Sequence, residues 1–175
     1  LDEEQPEYLT VTFDVHAPTF RHEMYSEYKG TRKPMAEELR QQVPVIKEVL
    51  QAMNIATIEK AGLEADDLLG TISHSCEEKG MDVAIISGDR DTLQLATEHV
   101  KIRIPKTKQG RTEIEDYFAS DVKEKYGVTP TEFIDVKALM GDTADNIPGV
   151  PGIGEKTATK IIVEYGNIEN AHEHV

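Results

Sequence analysis

Aspartate and glutamate residues follow predicted strands or flank predicted helices in several separate segments of the chain. Alternating and apolar patterns predict strands at 9–13 and 82–87, and helical periodicity predicts helices at 65–79 and 130–140. Sites in parallel sheets form at the carboxyl ends of strands, so we expect these acids to meet in one pocket. The acidic candidates are Asp14, Glu64, Asp66, Asp67, Asp89, Asp91, Asp142 and Asp145.

Several carboxylates in one pocket repel one another, and the repulsion raises some of their pKa values unless a cation is bound. Mg²⁺ and Mn²⁺ are hard cations that prefer carboxylate and water ligands. Two such ions about 4 Å apart can hold the attacking and leaving oxygens of a phosphodiester. The acidic pattern therefore predicts a two-metal site. Each segment by itself also has a simpler interpretation, because acids favour helix N-termini and cap turns.

A glycine-rich stretch at 147–158 predicts a contact with phosphate. Its glycines permit close backbone approach and positive φ, and a helix from about Glu155 presents N–H groups at its start. We expect Ile147, Val150 and Ile153 to anchor this hairpin while the glycines face outward. The alternative is an ordinary helix–turn–helix connection, which also favours Gly and Pro. The DNA-binding candidates here are Gly149, Gly152, Gly154, Lys156 and Lys160.

A basic and aromatic stretch follows the first predicted strand in an otherwise acidic sequence. Arg21, Tyr25, Lys29 and Arg32 are spaced by four, four and three residues, so a single helix would align them. Such a row suits a nucleic-acid backbone, with the tyrosine stacked on a base. The alternative is an amphipathic surface helix with three side chains packed inward, Phe20, Met24 and Tyr28.

The order of predicted elements indicates the fold class. Strands alternate with helices and helices then take over, which predicts an α/β fold with a mostly parallel central sheet flanked by helices and a helical C-terminal part. The apolar run at 82–87 indicates a strand buried on both faces. Pro44 predicts a kink or a break in a helix at 35–53. A change in pattern near Gly127 suggests an α/β core at 1–127 and a helical part at 128–175.

Composition narrows the class of function. The 175 residues include 19 Lys+Arg and 33 Asp+Glu, for a net charge of −14. This charge argues against a general nucleic-acid coat, although local DNA contacts remain compatible with it. One cysteine excludes an internal disulfide framework and suits a reducing cytosol. No apolar run is long enough to cross a membrane, so we expect no membrane partner.

These motifs occur in an order that resembles a known family. From about residue 9 to residue 175, the chain resembles the 5′-nuclease domain of bacterial DNA polymerase I, which belongs to the flap endonuclease family. The segments that carry the resemblance are Phe13-Asp14, Phe20-Arg-His-Glu, Tyr28-Lys-Gly-Thr-Arg32, Leu63-Glu-Ala-Asp-Asp67, Ser87-Gly-Asp-Arg-Asp91, Met140-Gly-Asp-Thr-Ala-Asp-Asn146 and Pro148-Gly-Val-Pro-Gly-Ile-Gly-Glu-Lys-Thr-Ala158.

The resemblance implies a metal-dependent 5′→3′ exonuclease and structure-specific endonuclease. Its substrate would be nicked or branched DNA with a 5′ flap, including RNA primers, and a polymerase domain would lie in the same parent chain. The implied cofactors are two Mg²⁺ or Mn²⁺ ions, with K⁺ at a helix-hairpin-helix element within 128–175. The implied setting is the bacterial cytoplasm, close to the nucleoid, with the protein acting as a monomer.

The resemblance also implies individual roles. Lys29 and Arg32 would be catalytic, steering the scissile phosphate from the foot of a helical arch, and Arg21 and Tyr25 would lie in the same arch region. One metal would be held mainly by Asp14, Glu64, Asp66 and Asp67. The second would be held by Asp89, Asp91, Asp142 and Asp145.

One departure from the family bears on activity. The family begins with a buried strand that ends in a further metal-binding aspartate, whereas Asp2 here lacks the apolar run of such a strand. The expectation is a truncated fragment with weaker metal binding and little or no nuclease activity. The alternative function is therefore a non-catalytic DNA-binding module. An aspartyl-phosphate phosphatase fits less well, because Asp14-Val-His has no second aspartate at the required spacing.

Overall fold

The computed structural model describes residues 4–108 and 110–174, so Asp2 lies outside the described residues. The chain divides into two compact units. The first comprises 1–71 with 144–146, and the second comprises 72–143 with 147–175. The predicted division at Gly127 stays a prediction.

The first unit contains a short parallel sheet and three helical segments. Strand β1 (Thr10–Thr12) pairs in parallel with β2 (Ala56–Ile58), and Thr10 lies opposite Ala56. Between these strands lie helices α1 (Phe20–Met24) and α2 (Glu37–Ala52). Helix α3 (Ala65–Glu77) begins in this unit. The acids around residue 64 therefore stand at a helix start, as the sequence predicts.

Helix α2 continues through Pro44, so the alternative of a break is wrong, while the predicted kink stays a prediction. The helix is assigned without interruption from Glu37 to Ala52, with Pro44 inside it. Its apolar residues remain exposed, because Leu39, Ile46 and Val49 keep 51–52% of their surface accessible. Proline removes the hydrogen bond to the carbonyl four residues earlier, and water can replace that bond in a helix this exposed.

The second unit carries the longer strands and most of the helices. Strand β3 (Val83–Ile86) is parallel to β4 (Val100–Lys108), which is antiparallel to β5 (Arg111–Tyr117). A 3₁₀ helix (Arg90–Leu95) follows β3. The remaining elements are α4 (Ala119–Tyr126), α5 (Pro130–Met140), β6 (Gly141–Asp142), β7 (Ile147–Pro148), α6 (Glu155–Tyr165) and α7 (Ile168–Glu173).

The best-buried side chains belong to the second unit. They come from the 3₁₀ helix, from β4 and from the packed faces of α4, α5 and α6, where Leu93, Ile102, Val122, Val136 and Ile162 are each at most 1% exposed. This core fixes the ends of β3 and α5. The segments after those ends carry the acids Asp89, Asp91 and Asp142.

The α/β class and the helical C-terminal part are confirmed, but the sheet differs from expectation in two respects. The described strands form three separate sheets, and the long partner strand β5 was not predicted. Strand β3 is not buried on both faces, because Ile85 is 3% exposed while Ile86 is 59% exposed. Among the described strands β3 lies at the edge of its sheet, and one of its faces remains open.

None of the described helices combines the length and the apolar character needed to cross a lipid bilayer.

Candidate active site

In the first unit, Asp67 is held by an arginine. The Nη1 and Nη2 atoms of Arg21 donate to the two carboxylate oxygens of Asp67, each at 2.8 Å. The backbone N–H of Glu64 also donates to Asp67, at 2.8 Å. The hydrogen bond from Arg21 lowers the pKa of Asp67. Asp67 is therefore ionised and fixed at the start of α3.

Asp14 also binds the start of α3. Its Oδ1 accepts a hydrogen bond from the backbone N–H of Ala65 at 2.7 Å. Two of the predicted metal ligands, Asp14 and Asp67, thus satisfy N–H groups of the first helical turn. This is the simpler structural role that acids at helix N-termini often have, and it does not prevent their remaining oxygens from binding a cation.

A buried tyrosine joins Glu64 to Asp145. The hydroxyl oxygen of Tyr28 lies 3.1 Å from Glu64 Oε2 and 2.9 Å from Asp145 Oδ2, and Tyr28 is only 5% exposed. Lys29 Nζ lies 2.8 Å from Glu64 Oε2, and Arg32 pairs with Asp145. Burial and the hydrogen bond to Asp145 raise the pKa of Tyr28 well above its usual range. Asp145, implied as a ligand of the second metal, therefore lies beside Glu64.

The predicted helix through the basic stretch is wrong. Helix α1 ends at Met24, and Lys29 has a φ of 55°, which is left-handed and incompatible with a continuing α-helix. A tertiary contact stabilises this backbone, because the N–H of Lys29 donates to the carbonyl of Asp145 at 2.8 Å. The alternative of inward packing holds for Tyr28 but not for Met24, which is 82% exposed.

The candidate residues of the basic stretch are consequently divided between two environments. Tyr25 is 38% exposed and available for contact, whereas Arg21 is engaged with Asp67. Lys29 and Arg32 line a cavity of about 440 Å³ together with Asp14, Glu64, His16 and His22. Sequence reasoning missed Tyr28 as a functional candidate and missed both histidines. The sequence signal that could have identified them is their position, because His16, His22 and Tyr28 all lie between Asp14 and Arg32.

In the second unit, one lysine lies between two carboxylates. Lys137 Nζ is 3.0 Å from Asp91 Oδ1 and 2.8 Å from Asp142 Oδ2. Asp89 stays close, because its Oδ1 accepts a hydrogen bond from the backbone N–H of Asp91 at 2.9 Å. Burial raises the pKa of Asp91, opposed by Lys137 and reinforced by the charges of Asp89 and Asp142. These three acids are thus near enough to repel one another.

The oxygen donors of these carboxylates suit a hard divalent cation, although the described side chains do not already surround a metal position. Among the described residues, no group of three or more His, Cys, Asp or Glu side chains is arranged to hold a metal ion. Side-chain cations contact the acids instead, and the Lys137 ammonium lies between Asp91 and Asp142. Oxygen donors of this type suit Mg²⁺ and Mn²⁺.

The glycines of the hairpin have different roles. A Cβ on Gly149 would lie 2.3 Å from the carbonyl carbon of Met140, so this glycine packs against backbone and does not face outward. Gly152 and Gly154 face open space, and Gly152 has a φ of +82°. The predicted apolar anchoring is wrong for Ile147 and Val150, which are 41% and 48% exposed.

The end of the hairpin has the features expected of a backbone contact. Gly154 precedes the first turn of α6, and Lys156 and Lys160 are both exposed on that helix. The glycine-rich turn and the first N–H groups of α6 are therefore accessible beside two positive charges. Such an arrangement can bind a phosphate.

Comparisons with known proteins agree with this architecture. The model of the 5′-3′ exonuclease N-terminal resolvase-like domain matches residues 1–127, and the model of the 5′-3′ exonuclease C-terminal SAM fold matches residues 128–175. DNA polymerase I of Bacillus caldotenax is 50% identical over 170 residues, which are 97% of this chain and 19% of the polymerase. The chain thus spans about one fifth of that relative.

Solved structures show the same fold. A bacteriophage T5 protein co-crystallised with metal ions has a TM-score of 0.80 and 30% identity, covering 98% of this chain and 66% of that one. The T5 flap endonuclease in a pseudo-enzyme-product complex with DNA and metal ions has a TM-score of 0.79 and 29% identity, covering 99% and 66%. The family resemblance seen in the motifs is confirmed. The chain belongs to the 5′-3′ exonuclease family.

Proposed function

We propose that this chain is the 5′-nuclease part of a bacterial DNA polymerase I and hydrolyses phosphodiester bonds in nicked or branched DNA with a 5′ flap. The observation that carries the proposal is the Lys137 ammonium between Asp91 and Asp142, which marks a place where clustered carboxylates bind a cation. The T5 relative that was crystallised with DNA and metal ions supports it.

The residues that would hold two Mg²⁺ or Mn²⁺ ions are those the sequence indicates. We propose Asp14, Glu64, Asp66 and Asp67 for one ion, and Asp89, Asp91 and Asp142 for the other. Bound divalent ions supply charge neutralisation and activate water in phosphoryl chemistry. Asp145, which the family resemblance implies for the second ion, lies beside Glu64 in the first unit.

Lys29 and Arg32 supply positive charge to the cavity that Asp14 and Glu64 also line. Both are now paired with acids, Lys29 with Glu64 and Arg32 with Asp145. If those carboxylates bound a divalent ion, the ammonium and guanidinium groups would become available to hold the scissile phosphate. Arginine suits this role because its planar donors match phosphate oxygens.

DNA affinity is proposed to come from two exposed surfaces. Tyr25 stacks on a base, and the accessible hairpin end with Gly152, Gly154, Lys156 and Lys160 binds the duplex backbone. Gly149 supports this hairpin by close packing and does not itself touch DNA. K⁺ at the hairpin, RNA primers as substrates, a monomeric state and a site of action near the nucleoid remain parts of this proposal.

A second candidate is a module that binds DNA without hydrolysing it. The ion pairs of the first unit favour it, because Glu64, Asp67 and Asp145 each contact a side-chain cation of their own. A site neutralised in this way has a smaller electrostatic reason to bind metal. The two candidates make the same prediction for DNA binding and different predictions for cleavage.

Cleavage of a labelled 5′-flap duplex with Mg²⁺ or Mn²⁺ separates the candidates. The assay is run on this chain and on the full-length polymerase that we propose contains it, with Asp91→Asn and Asp142→Asn as variants. We expect each to lower the cleavage rate by about 100-fold or more, because each removes a charged ligand. The matched control is Asp82→Asn, since Asp82 is 89% exposed and pairs with His99.

Metal-dependent cleavage that both variants abolish supports the nuclease. Flap binding without cleavage in both proteins identifies the non-catalytic module. Cleavage that is unchanged in Asp91→Asn and Asp142→Asn overturns the assignment of these acids.

A further inference from the structure

We propose that Tyr28 is a positioning residue whose hydroxyl holds the carboxylates of Glu64 and Asp145 next to each other. For its effect on catalysis, this inference rests on the proposed nuclease function. The contacts between Tyr28 and the two carboxylates are independent of that function and come from the described side chains of the first unit.

The geometry at the hydroxyl is the first reason. The phenol oxygen is within hydrogen-bond distance of Glu64 Oε2 at 3.1 Å and of Asp145 Oδ2 at 2.9 Å. A phenol has one proton, so it donates to one carboxylate at a time, and both acids approach the same oxygen. The two acids come from parts of the chain that are distant in sequence. The Tyr28 hydroxyl contacts both of them.

The packing of the ring is the second reason. Tyr28 is 5% exposed, and its ring is contacted by two neighbours. Lys29 Nζ lies 5.0 Å from the ring centroid, and the His22 ring meets it edge-on at 5.1 Å between centroids. A hydroxyl on a ring packed in this way has little freedom to move. Its position can therefore determine where the two carboxylates rest.

His22 extends this support by one more contact. The backbone N–H of Thr19 donates to His22 Nδ1 at 3.1 Å, and Thr19 is 5% exposed. Nδ1 also lies 3.1 Å from the hydroxyl oxygen of Thr19. The ring is thereby fixed against the start of α1. The contacts of His22 with Thr19 and with the Tyr28 ring therefore limit the movement of the hydroxyl.

Local charges make the hydroxyl necessary. Two carboxylates that approach one oxygen repel each other, and Lys29 and Arg32 neutralise them from outside. If the proposed function releases those cations to phosphate, the Tyr28 hydroxyl remains beside both acids and donates its proton to one of them at a time. Residues that orient ligands in this manner typically change metal affinity or activity by about 10- to 100-fold when mutated.

The test is Tyr28→Phe, which removes the hydroxyl and keeps the ring. The matched control is Tyr8→Phe, because Tyr8 is 69% exposed and lies in the same unit. Crystal structures of wild type and Tyr28→Phe without metal compare the separation of the Glu64 and Asp145 carboxylates. We expect the two acids to move apart or change rotamer in the variant. Unchanged carboxylates overturn the proposal.

The kinetic measurement uses whichever of this chain and the full-length polymerase cleaves the flap. We expect Tyr28→Phe to lower kcat by about 10- to 100-fold, to change KM less than about threefold and to require more Mn²⁺. Equal kcat and equal Mn²⁺ dependence overturn the proposal. If neither wild-type protein cleaves, the nuclease function fails, and the crystal structures still decide whether Tyr28 positions the acids.

A double-mutant cycle guards against a folding defect. Asp145→Asn is measured alone and together with Tyr28→Phe, and Mn²⁺ affinity and thermal unfolding are recorded for all four proteins. If the hydroxyl acts through Asp145, Tyr28→Phe should change Mn²⁺ affinity less in the Asp145→Asn protein than in the wild type. Strictly additive effects overturn the proposal, whatever the stability of each variant.

Discussion

The two groups of acids, one in each unit, are neutralised in different ways. In the second unit, Asp91 and Asp142 share the ammonium of Lys137. In the first unit, each of three carboxylates contacts a different cation. These pairs are Asp67–Arg21, Glu64–Lys29 and Asp145–Arg32.

The pKa shifts follow this difference. The paired Asp67 has a lowered pKa because Arg21 donates to it, whereas burial and like charges raise the pKa of Asp91. A separate cation for each acid satisfies the first group without an added ion. Because Asp91 and Asp142 share one ammonium, negative charge remains at the second group. An added divalent cation should therefore bind more favourably there. The following predictions test this contrast.

The largest expected effect is that of Lys137→Met, which keeps the length of the side chain and removes its charge. Asp91 and Asp142 would then face each other without the ammonium, and we expect the free energy of unfolding to fall by about 2 kcal/mol. Mn²⁺ should restore part of the loss by replacing the missing cation. Urea unfolding with and without Mn²⁺ measures both quantities.

The control for Lys137→Met is Lys123→Met, which changes an exposed lysine of α4. It should neither destabilise the protein comparably nor create a response to Mn²⁺. A loss in Lys137→Met that Mn²⁺ leaves untouched would mean that the second group has no advantage in binding a divalent ion.

Arg21→Ala tests the first group and should cost about 1–2 kcal/mol near neutral pH, because it removes two charge-assisted hydrogen bonds. The folded pKa of Asp67 lies below its ordinary value of 3.8, so this stability is present above about pH 4 and is lost as the pH falls through the folded value. The difference between wild type and variant should therefore shrink from pH 6 towards pH 2. Urea unfolding across this range measures it.

Arg40→Ala provides the comparison for Arg21→Ala, since Arg40 forms an exposed pair with Glu37. Its effect should be small and nearly independent of pH. An Arg21→Ala difference that stays constant down to pH 2 would show that Asp67 is not the partner whose charge matters.

Gly154→Ala separates DNA binding from both groups of acids. A Cβ at Gly154 meets open space and the backbone φ is −101°, so the fold should tolerate alanine. The added methyl group crowds the N–H groups at the start of α6, and we expect duplex affinity to fall by about fivefold, or about 1 kcal/mol. Fluorescence anisotropy measures duplex binding, and Mn²⁺ affinity should not change.

Gly152→Val is a less suitable test of the same hairpin, because Gly152 has a φ of +82° and valine would be strained there. Equal duplex affinity for wild type and a folded Gly154→Ala protein would exclude the start of α6 from the DNA contact.

The smallest expected effect is that of Arg90→Ala. Arg90 lies 3.6 Å from Glu155 and 5.2 Å from the ring centroid of Tyr126, and its side chain is 51% exposed. Solvent screens such a pair, so we expect a loss below about 1 kcal/mol that decreases further in about 1 M NaCl. A salt series of urea unfolding curves checks this. A loss as large as that of Lys137→Met would contradict the distinction between shared and exposed pairs.

Local signals were sufficient to predict the helical part of the fold. Helix α5 has the bounds 130–140 that the sequence indicates, because Thr129-Pro130 starts it, and α6 begins at Glu155, where a helix start is predicted. Strand β5 carried no such signal. Its charged residues pair across the hairpin with β4, as Glu115 does with Lys106 and Asp116 with Arg103. These pairs arise only after the strands meet.

The candidate site was predictable by residue type and less so by partner. The acids do stand after strands and at helix starts, as their spacing indicates. Their cations could not be inferred, because Arg21, Lys29 and Lys137 each reach an acid in another segment. Tyr28 was missed for the same reason. Inward packing of Tyr28 was one of the two alternatives, whereas its partners Glu64 and Asp145 lie far away in the sequence and could not be inferred.

Lys29 and Asn146 both have a left-handed backbone. Together they affect how readily the amide hydrogens of this region exchange with solvent. Asn146 has a φ of 58°, and its Nδ2 donates to the carbonyl of Glu27, while the N–H of Lys29 donates to the carbonyl of Asp145. A left-handed non-glycine residue costs about 1 kcal/mol or more. Releasing two such residues favours local opening, so the amide hydrogen of Lys29 should exchange with deuterium without global unfolding.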